Sequence, residues 1–132
     1  MIQRTRQQPC PCGSGRPFSA CCAPLLDGDV AAPTAEALMR SRYSAYALAR
    51  EDYLLATWHA STRPVSLALH EPPRPRWIGL DIRRHEPQGD ARAVVEFVAR
   101  FRVDGRAHVL HETSRFVREG GRWYYVDGNF AP

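Results

Sequence analysis

Every cysteine of this 132-residue chain lies between positions 10 and 22, in the spacing C-x-C-x₈-C-C. A segment this short contains one large apolar side chain, Phe18, and cannot bury a hydrophobic core of its own. It must therefore be held together by a cross-link, and thiols are the groups that can supply one. The four candidates are Cys10, Cys12, Cys21 and Cys22.

A tetrahedral zinc site is the cross-link that this spacing favours. Ligands one residue apart can share a metal if the chain turns tightly after them, and Gly13 and Gly15 permit such a turn. Four protein ligands leave no open coordination position, so the predicted Zn²⁺ is structural rather than catalytic. Iron is the alternative metal, because it also accepts four thiolates. Two disulfides are disfavoured, since a bond between Cys21 and Cys22 would be strained and the N-terminus lacks the apolar segment of a secretory signal.

The charge pattern argues against nucleic acid and membranes as partners. The formal net charge is +4, and all 18 basic residues are arginines, interleaved with 14 acids rather than gathered in a block. No stretch approaches the ~20 apolar residues that a membrane span requires. The sequence therefore predicts a soluble, cytoplasmic protein with one core domain and a small appendage.

Two helices are predicted after a linker that is rich in proline and small residues. Thr34 is a suitable N-cap, and apolar residues recur at helical spacing from there to about residue 50. A second, shorter helix is predicted over residues 51–60. Residues 61–76 contain four prolines and are predicted to form a loop, with one helical turn around residues 65–69.

The remainder of the chain is predicted to be an antiparallel meander of strands. The pairs at 104–105 (Asp-Gly) and 120–121 (Gly-Gly) each predict a two-residue hairpin, and the pair at 89–90 predicts a third tight connection. Counting outward from these turns places Ile82 opposite Phe97, Phe116 opposite Tyr125 and Ser114 opposite Asp127. One face then carries the residues that the helices must cover: Ile78, Leu80, Ile82, Val95, Phe97, Phe101, Leu110, Phe116, Trp123 and Tyr125.

Polar residues on that same interior face are the informative exception. Glu112, Ser114, Tyr125 and Asp127 are expected to lie close together, and Arg42 of the first helix should point toward them. In one interpretation they line a small-molecule pocket, with Glu112 or Asp127 as a base, Tyr125 as a donor and Arg42 as an anion anchor. In the other, which we favour at this point, Arg42 pairs with one of the two carboxylates and locks helix to sheet. Trp58 and His59 are expected to close one side of the group.

The cysteine segment, residues 10–22, resembles the SEC-C motif, the zinc-binding tail of the translocation ATPase SecA. The whole chain resembles the YchJ-like family, and the matching stretches are residues 34–46, 111–116 and 122–128. This resemblance implies an α+β fold: a nuclear-transport-factor-2-like (NTF2-like) cone, in which helices pack on a curved, mainly antiparallel sheet behind an N-terminal zinc knuckle. It divides the chain into a knuckle (1–24), a linker (25–33) and the α+β domain (34–132). It implies no established biochemical activity.

Two classes of function remain open from the sequence. The first is a protein-interaction or accessory module that uses the zinc knuckle for a protein contact, with the cone as scaffold or pocket. The corresponding stretch of the translocase motif is basic, whereas residues 16–20 here carry a single positive charge, so no particular target follows. The second is a ligand-binding protein or a small-molecule enzyme of the isomerase, dehydratase or hydrolase type acting inside the cone, although no catalytic residue can be assigned. The oligomeric expectation is a monomer or a weak homodimer.

Overall fold

The structure is a computed structural model that describes residues 8–131, so the predicted domain ends at residues 1 and 132 lie outside the described residues. A single 3₁₀ turn, Phe18–Ala20, precedes three helices, α1 (Ala23–Leu26), α2 (Ala35–Ala47) and α3 (Glu51–Ala56). Four strands follow: β1 (Arg76–Pro87), β2 (Arg92–Val103), β3 (Arg106–Glu119) and β4 (Arg122–Phe130). The strands form one antiparallel sheet in the order β1-β2-β3-β4. The predicted α+β class is confirmed.

Helix α2 begins where its capping residue predicts. The Thr34 hydroxyl accepts a hydrogen bond from the Ala37 amide at 3.0 Å and satisfies one of the free donors of the first turn. The helix ends at Ala47, slightly before the predicted end, and Ala49 just beyond it has a positive φ of 57°. Its buried face packs on β1, β2 and β4. Helix α2 therefore lies across the interior face of the sheet.

Helix α3 is shorter than predicted because the chain leaves it to pair with β4. It ends at Ala56, and Thr57 then accepts a hydrogen bond from the Tyr125 amide at 2.9 Å while the His59 amide donates to the Tyr125 carbonyl at 2.8 Å. This short bridge fixes residues 57–59 along the free edge of β4, beside Tyr125. The helical turn predicted around residues 65–69 is wrong, because this segment forms an irregular loop in which Ala68 has a positive φ of 53° and the amides of Leu67 and Leu69 donate to Glu51.

The predicted strand register is correct at two of its three pairs. Ile82 lies opposite Phe97, and Phe116 lies opposite Tyr125. The third pair is wrong, because a bulge between Arg115 and Phe116 shifts the β3–β4 register by one residue. Ser114 therefore lies opposite Gly128, and Arg115 lies opposite Asp127. A bulge leaves one residue unpaired and so reverses the faces of everything beyond it.

A second bulge changes the interior set at the start of β1. It falls between Trp77 and Gly79, so Trp77 lies inside and Ile78, predicted to be interior, is 47% exposed. The main core joins Leu38 and Tyr43 of α2 to residues of the sheet such as Phe97 and Phe116. Among the described residues no helix has the length and apolar character to cross a membrane.

Candidate metal centre and ligand cavity

The four cysteine sulfurs converge on one point. Their Sγ atoms all lie within 4.8 Å of one another. The separations include 3.6 Å between Cys12 and Cys21 and 3.9 Å between Cys21 and Cys22. A tetrahedral metal with bonds of about 2.3 Å to sulfur requires sulfurs about 3.8 Å apart, whereas a disulfide requires about 2.05 Å. The arrangement therefore fits a four-thiolate metal site.

Two tight turns bring the cysteine pairs together. The Gly13 amide donates to the Cys10 carbonyl at 3.1 Å, and Gly13 has a φ of 78°, which residues with a Cβ rarely adopt. The Cys10 amide donates to the Arg16 carbonyl at 3.0 Å and closes this loop. The second pair ends at the start of α1, where the Leu26 amide donates to the Cys22 carbonyl at 2.9 Å. The second pair is therefore fixed by the first turn of a helix.

Polar groups around the sulfurs complete the site. The hydroxyl of Ser14 lies 3.1 Å from the Cys21 sulfur. The Arg16 guanidinium donates to the same sulfur at 3.6 Å, and the Arg40 guanidinium donates to the Cys12 carbonyl at 3.1 Å. Four thiolates around a divalent metal carry a formal charge of about −2, which two guanidinium groups can balance. These supporting residues were not predicted, because no spacing in the sequence links Arg40 to the cysteines.

The buried thiols of Cys10, Cys12 and Cys22 perturb one another's ionisation. Hydrogen bonds from Cys12 and Cys22 lower the pKa of Cys10, which becomes the favoured thiolate. The hydrogen bond to Cys10 raises the pKa of Cys12. The hydrogen bonds to Cys10 and Cys12 raise the pKa of Cys22. A bound divalent metal removes this conflict, because it stabilises every thiolate at once. The donor set and its charge are thus suited to a metal.

The metal centre is continuous with the core of the larger domain. Cys10, Cys12 and Cys22 are buried and belong to the same hydrophobic cluster as Leu38 and Tyr43 of α2. Only Cys21 is partly exposed. A metal here would therefore tie the N-terminal segment directly onto helix α2.

A separate cavity of about 310 Å³ lies between the interior face of the sheet and helix α2, and we call it the cone cavity. Its wall is mostly aromatic, and its polar residues are Arg42, Glu112 and Ser114 together with the tyrosine hydroxyls. The exposed Phe130 is part of its lining. The aromatic residues of the lining are Tyr43, Tyr46, Trp58, Trp77, Phe97, Tyr125 and Phe130.

Arg42 is the most unusual residue of the cavity. Its side chain is only 3% exposed, and its Nη1 donates to the Leu54 carbonyl at 2.8 Å and the Thr57 hydroxyl at 2.7 Å. The guanidinium carbon lies 5.1 Å from the centre of the Trp58 ring and 4.7 Å from that of Tyr125. Burial lowers the pKa of Arg42, although the group remains cationic at neutral pH. Aromatic faces and neutral acceptors thus stabilise a buried cation.

Glu112 is held by neutral donors. Its Oε2 accepts hydrogen bonds from the Ser114 hydroxyl at 2.6 Å and the Tyr125 hydroxyl at 3.2 Å. Burial raises the pKa of Tyr125, and the neighbouring Glu112 carboxylate raises it further, so the phenol stays protonated as a donor. Within the described residues no ion pair joins Arg42 to Glu112 or Asp127. The favoured interpretation, a helix-to-sheet ion pair, is therefore wrong.

The structure brings most of the predicted group together. Arg42, Glu112, Ser114 and Tyr125 all line the cone cavity, as does Trp58. Asp127 does not, and its predicted place in the pocket is wrong. The β3–β4 bulge turns it to the outer face, where its carboxylate accepts a hydrogen bond from Arg115 at 2.6 Å.

His59 also lies away from the cavity. Its Nε2 lies 3.0 Å from a Glu119 oxygen, and its Nδ1 lies 2.7 Å from the Ser61 hydroxyl. Several residues of the cavity wall were missed, among them Tyr46 and Trp77. Tyr46 was assigned to the core of the first helix by its spacing, and the bulge next to Trp77 has no signature in the sequence.

Comparison with known proteins matches both parts of the chain. The model of the YchJ middle NTF2-like domain matches residues 34–128, and that of the SEC-C motif matches residues 6–24. A UPF0225 protein of Methylibium petroleiphilum is 53% identical over 100% of this chain and 97% of its own length. One from Chromobacterium violaceum is 61% identical over 92% of this chain and 93% of its own. The chain belongs to the YchJ-like (UPF0225) family.

Two solved structures are similar to this YchJ-like protein. The solution structure of a SEC-C motif-containing protein from Rhodopseudomonas palustris is 36% identical, with a TM-score of 0.83 over 95% of this chain and 100% of that chain. The crystal structure of such a protein from Psychrobacter arcticus is 28% identical, with a TM-score of 0.79 over 96% of this chain and 85% of that one. The NTF2-like fold that the resemblance implies is confirmed, and the cysteine cluster of this YchJ-like protein is its SEC-C motif.

Proposed function

We propose that this YchJ-like protein binds a small molecule in its cone cavity, and that Zn²⁺ at the four cysteines holds the N-terminal segment against the cone. The observation that carries this proposal is the cavity itself. A domain that acts only as a scaffold would fill its interior with its own side chains, whereas here about 310 Å³ remains between aromatic walls and polar groups. An apolar pocket with a few convergent polar groups is the usual form of a small-molecule site.

Zinc is the metal that we propose for the cysteine site. Four thiolates in a tetrahedron suit either zinc or iron. Zinc needs no redox partner, and a closed four-ligand site is its ordinary structural form. Metal thiolates of this kind are typical of reducing compartments, which supports the proposed cytoplasmic location. Elemental analysis should find one zinc per chain, and an iron site would be visible by its absorption.

A protein-docking role for the knuckle has less support from the geometry. Three of the four cysteines are buried in the cluster that includes residues of helix α2, so the metal-binding side chains themselves are not displayed to a partner. An enzyme is also less favoured than a binding protein. The Glu112 carboxylate already accepts hydrogen bonds from the Ser114 and Tyr125 hydroxyls, and no arrangement among the described residues assigns it a proton to transfer.

The proposal can be tested by filling the cavity. Ala99 is a buried residue of the cavity wall, so Ala99→Leu should extend a larger side chain into the space. Fragments of aromatic character should bind the zinc-loaded wild type in ligand-observed NMR and bind the Ala99→Leu variant at least about tenfold more weakly. Ala107→Leu is the matched control, because Ala107 lies exposed on β3.

Two outcomes would contradict the proposal. One is the absence of any fragment that binds the zinc-loaded wild type. The other is equal binding to the wild type and to a folded Ala99→Leu variant, which would place the fragments outside the cone cavity. The folded state of each variant is checked by its amide NMR spectrum.

A further inference from the structure

Tyr125 contacts both charged groups of the cone cavity without bringing them together. Its ring lies 4.7 Å from the Arg42 guanidinium, and its hydroxyl donates to Glu112 at 3.2 Å. The cation and the carboxylate therefore line one cavity, and each is bonded to neutral partners. Buried charges in proteins are normally paired with each other, so the separation requires an explanation.

The charge of the cavity restricts the charge of its ligand. The Arg42 cation and the Glu112 carboxylate balance when the cavity holds no ligand or a neutral one. An anionic ligand would pair with Arg42 but would leave one negative charge in excess beside Glu112. A cationic ligand would leave one positive charge in excess beside Arg42. Because an uncompensated charge is costly in a poorly solvated cavity, a ligand with no net charge fits best.

The hydrogen-bonding capacity that remains on the two groups is complementary. Arg42 uses Nη1 for its hydrogen bonds to the Leu54 carbonyl and the Thr57 hydroxyl. A guanidinium carries five N–H donors, so donor capacity remains on Arg42. The bonds from Ser114 and Tyr125 both reach Oε2 of Glu112, which leaves acceptor capacity on Oε1. The ligand should accept a hydrogen bond from one of these groups and donate one to the other.

The walls indicate a flat ligand. Trp58 packs edge-on against Tyr125 with ring centres 4.9 Å apart, and its indole N–H donates to Thr62 at 3.1 Å. Trp77 is held between Tyr43 and Phe101, at 5.7 Å and 4.9 Å. These fixed aromatic surfaces favour the stacking of a planar ring over a flexible chain.

We propose that the cone cavity takes an uncharged, planar aromatic molecule with an amide-type edge, whose carbonyl accepts from Arg42 and whose neighbouring N–H donates to Glu112. This inference rests on the proposed function, because it names the class of ligand for the same cavity. Lactams and aromatic carboxamides have this edge, with the acceptor and the donor on adjacent atoms.

Three probes of equal size test the ligand class on the zinc-loaded, full-length protein. Naphthamide is neutral, naphthoate is anionic and naphthylmethylammonium is cationic. Titration calorimetry should show that naphthamide binds at least about tenfold more tightly than either charged probe. A tenfold difference in affinity is about what one charge-assisted hydrogen bond contributes. Tightest binding by naphthoate or naphthylmethylammonium, or equal binding by all three, would overturn the ligand class and leave the proposed function standing. Failure of every probe would contradict both.

A near-isosteric variant tests the role of Glu112. Glu112→Gln removes the negative charge and should raise the affinity for naphthoate relative to naphthamide by about tenfold or more. Asp127→Asn is the matched control, since it removes a carboxylate on the outer face and should leave the ratio unchanged. An unchanged ratio in Glu112→Gln would contradict the proposal. Arg42→Met should shift the preference in the opposite sense, toward naphthylmethylammonium.

Discussion

Gly128 leaves the space that the Glu112 carboxylate occupies. A Cβ at position 128 would overlap Oε2 of Glu112 and lie 2.7 Å from its Cδ. The bulge at Val126 in β4 places Gly128 on this interior face, opposite Ser114, so the carboxylate can reach Ser114 and Tyr125. The position of the acidic group in the cavity thus depends on a residue that has no side chain.

This relationship predicts that Gly128→Ala destabilises the protein by about 1–3 kcal/mol, because the buried carboxylate has to move. Thermal or denaturant unfolding measures the change. Gly79→Ala is the matched control, since Gly79 also lies in a strand and a Cβ there meets nothing within 4 Å. The Gly128→Ala cost should fall when Glu112 is shortened to alanine in the double variant. A cost that is the same with and without Glu112 would refute the steric explanation.

Removal of the metal is expected to destabilise the whole protein rather than the knuckle alone. Cys10, Cys12 and Cys22 share a hydrophobic cluster with α2 and the sheet, so the centre belongs to the main core. Chelation, or the substitution Cys12→Ser, should lower Tm by more than about 10 °C in a single transition.

Ala20→Ser is the control for the cysteine substitution, because it adds a hydroxyl at an exposed position of the same segment. Its Tm should remain close to that of the wild type. A chelated protein in which the sheet melts at an unchanged temperature would show that knuckle and cone are independent.

Arg42 is predicted to tolerate replacement by a long apolar side chain. Breaking a buried ion pair costs about 3–5 kcal/mol, because it leaves the partner charge without compensation. Arg42 has no carboxylate partner among the described residues, so Arg42→Met should cost less than this, about 2–3 kcal/mol in denaturant unfolding, from its bonds to Leu54 and Thr57 and from the loss of its charge balance with Glu112. Arg42→Ala should cost more, since it also opens a cavity. A cost of Arg42→Met in the ion-pair range would indicate that Arg42 and Glu112 stabilise each other directly.

The loop before β1 is predicted to loosen in acid. The Glu51 carboxylate accepts hydrogen bonds from the amides of Leu69 and Leu67, at 3.2 and 3.3 Å, and from the Ser66 hydroxyl. These bonds lower the pKa of Glu51 in the folded protein, and the bond from the Leu69 amide has the largest effect. A group whose folded pKa lies below its unfolded value contributes stability above the unfolded pKa, and that contribution is lost as the pH falls through the folded pKa.

Hydrogen exchange at the two amides follows this change. Exchange of Leu67 and Leu69, corrected for intrinsic rates, should accelerate as the pH falls below about 4, and Glu51→Gln should accelerate it at neutral pH. Glu71→Gln, at an exposed position of the same loop, should have no effect. Protection of Leu67 and Leu69 that is independent of pH would contradict the anchoring role of Glu51.

The sequence predicts the metal centre and most of the cavity for definite physical reasons. Closely spaced cysteines with glycines between them have few alternatives to a shared metal. Tight turns fix which residues of the neighbouring strands lie on the interior face. The alternation of side chains along the strands alone placed Glu112, Ser114 and Tyr125 on one face, where the structure has them. The spacing of apolar residues along the first helix predicted that Arg42 points toward the same interior.

The failures share one cause, which is that bulges and long-range contacts leave no local signature. The bulge next to Phe116 exchanged Asp127 for Gly128 on the interior face, and the bulge next to Trp77 moved Ile78 outside. The guanidinium of Arg40 reaches Cys12 only because α2 packs on the knuckle. Such contacts depend on tertiary packing, which no spacing within a segment encodes.

Binding of a small aromatic molecule in the cone cavity can be followed through the three tryptophans of the chain. Trp58 and Trp77 line the cone cavity, whereas Trp123 lines a different cavity, beside α1 and α3. Their indole N–H signals can be followed by ¹H–¹⁵N NMR while naphthamide is added to the zinc-loaded protein. If naphthamide binds in the cone cavity, the Trp58 and Trp77 signals should show saturable shifts and the Trp123 signal should not move. Shifts confined to Trp123, or no shift at any of the three, would contradict binding in the cone cavity.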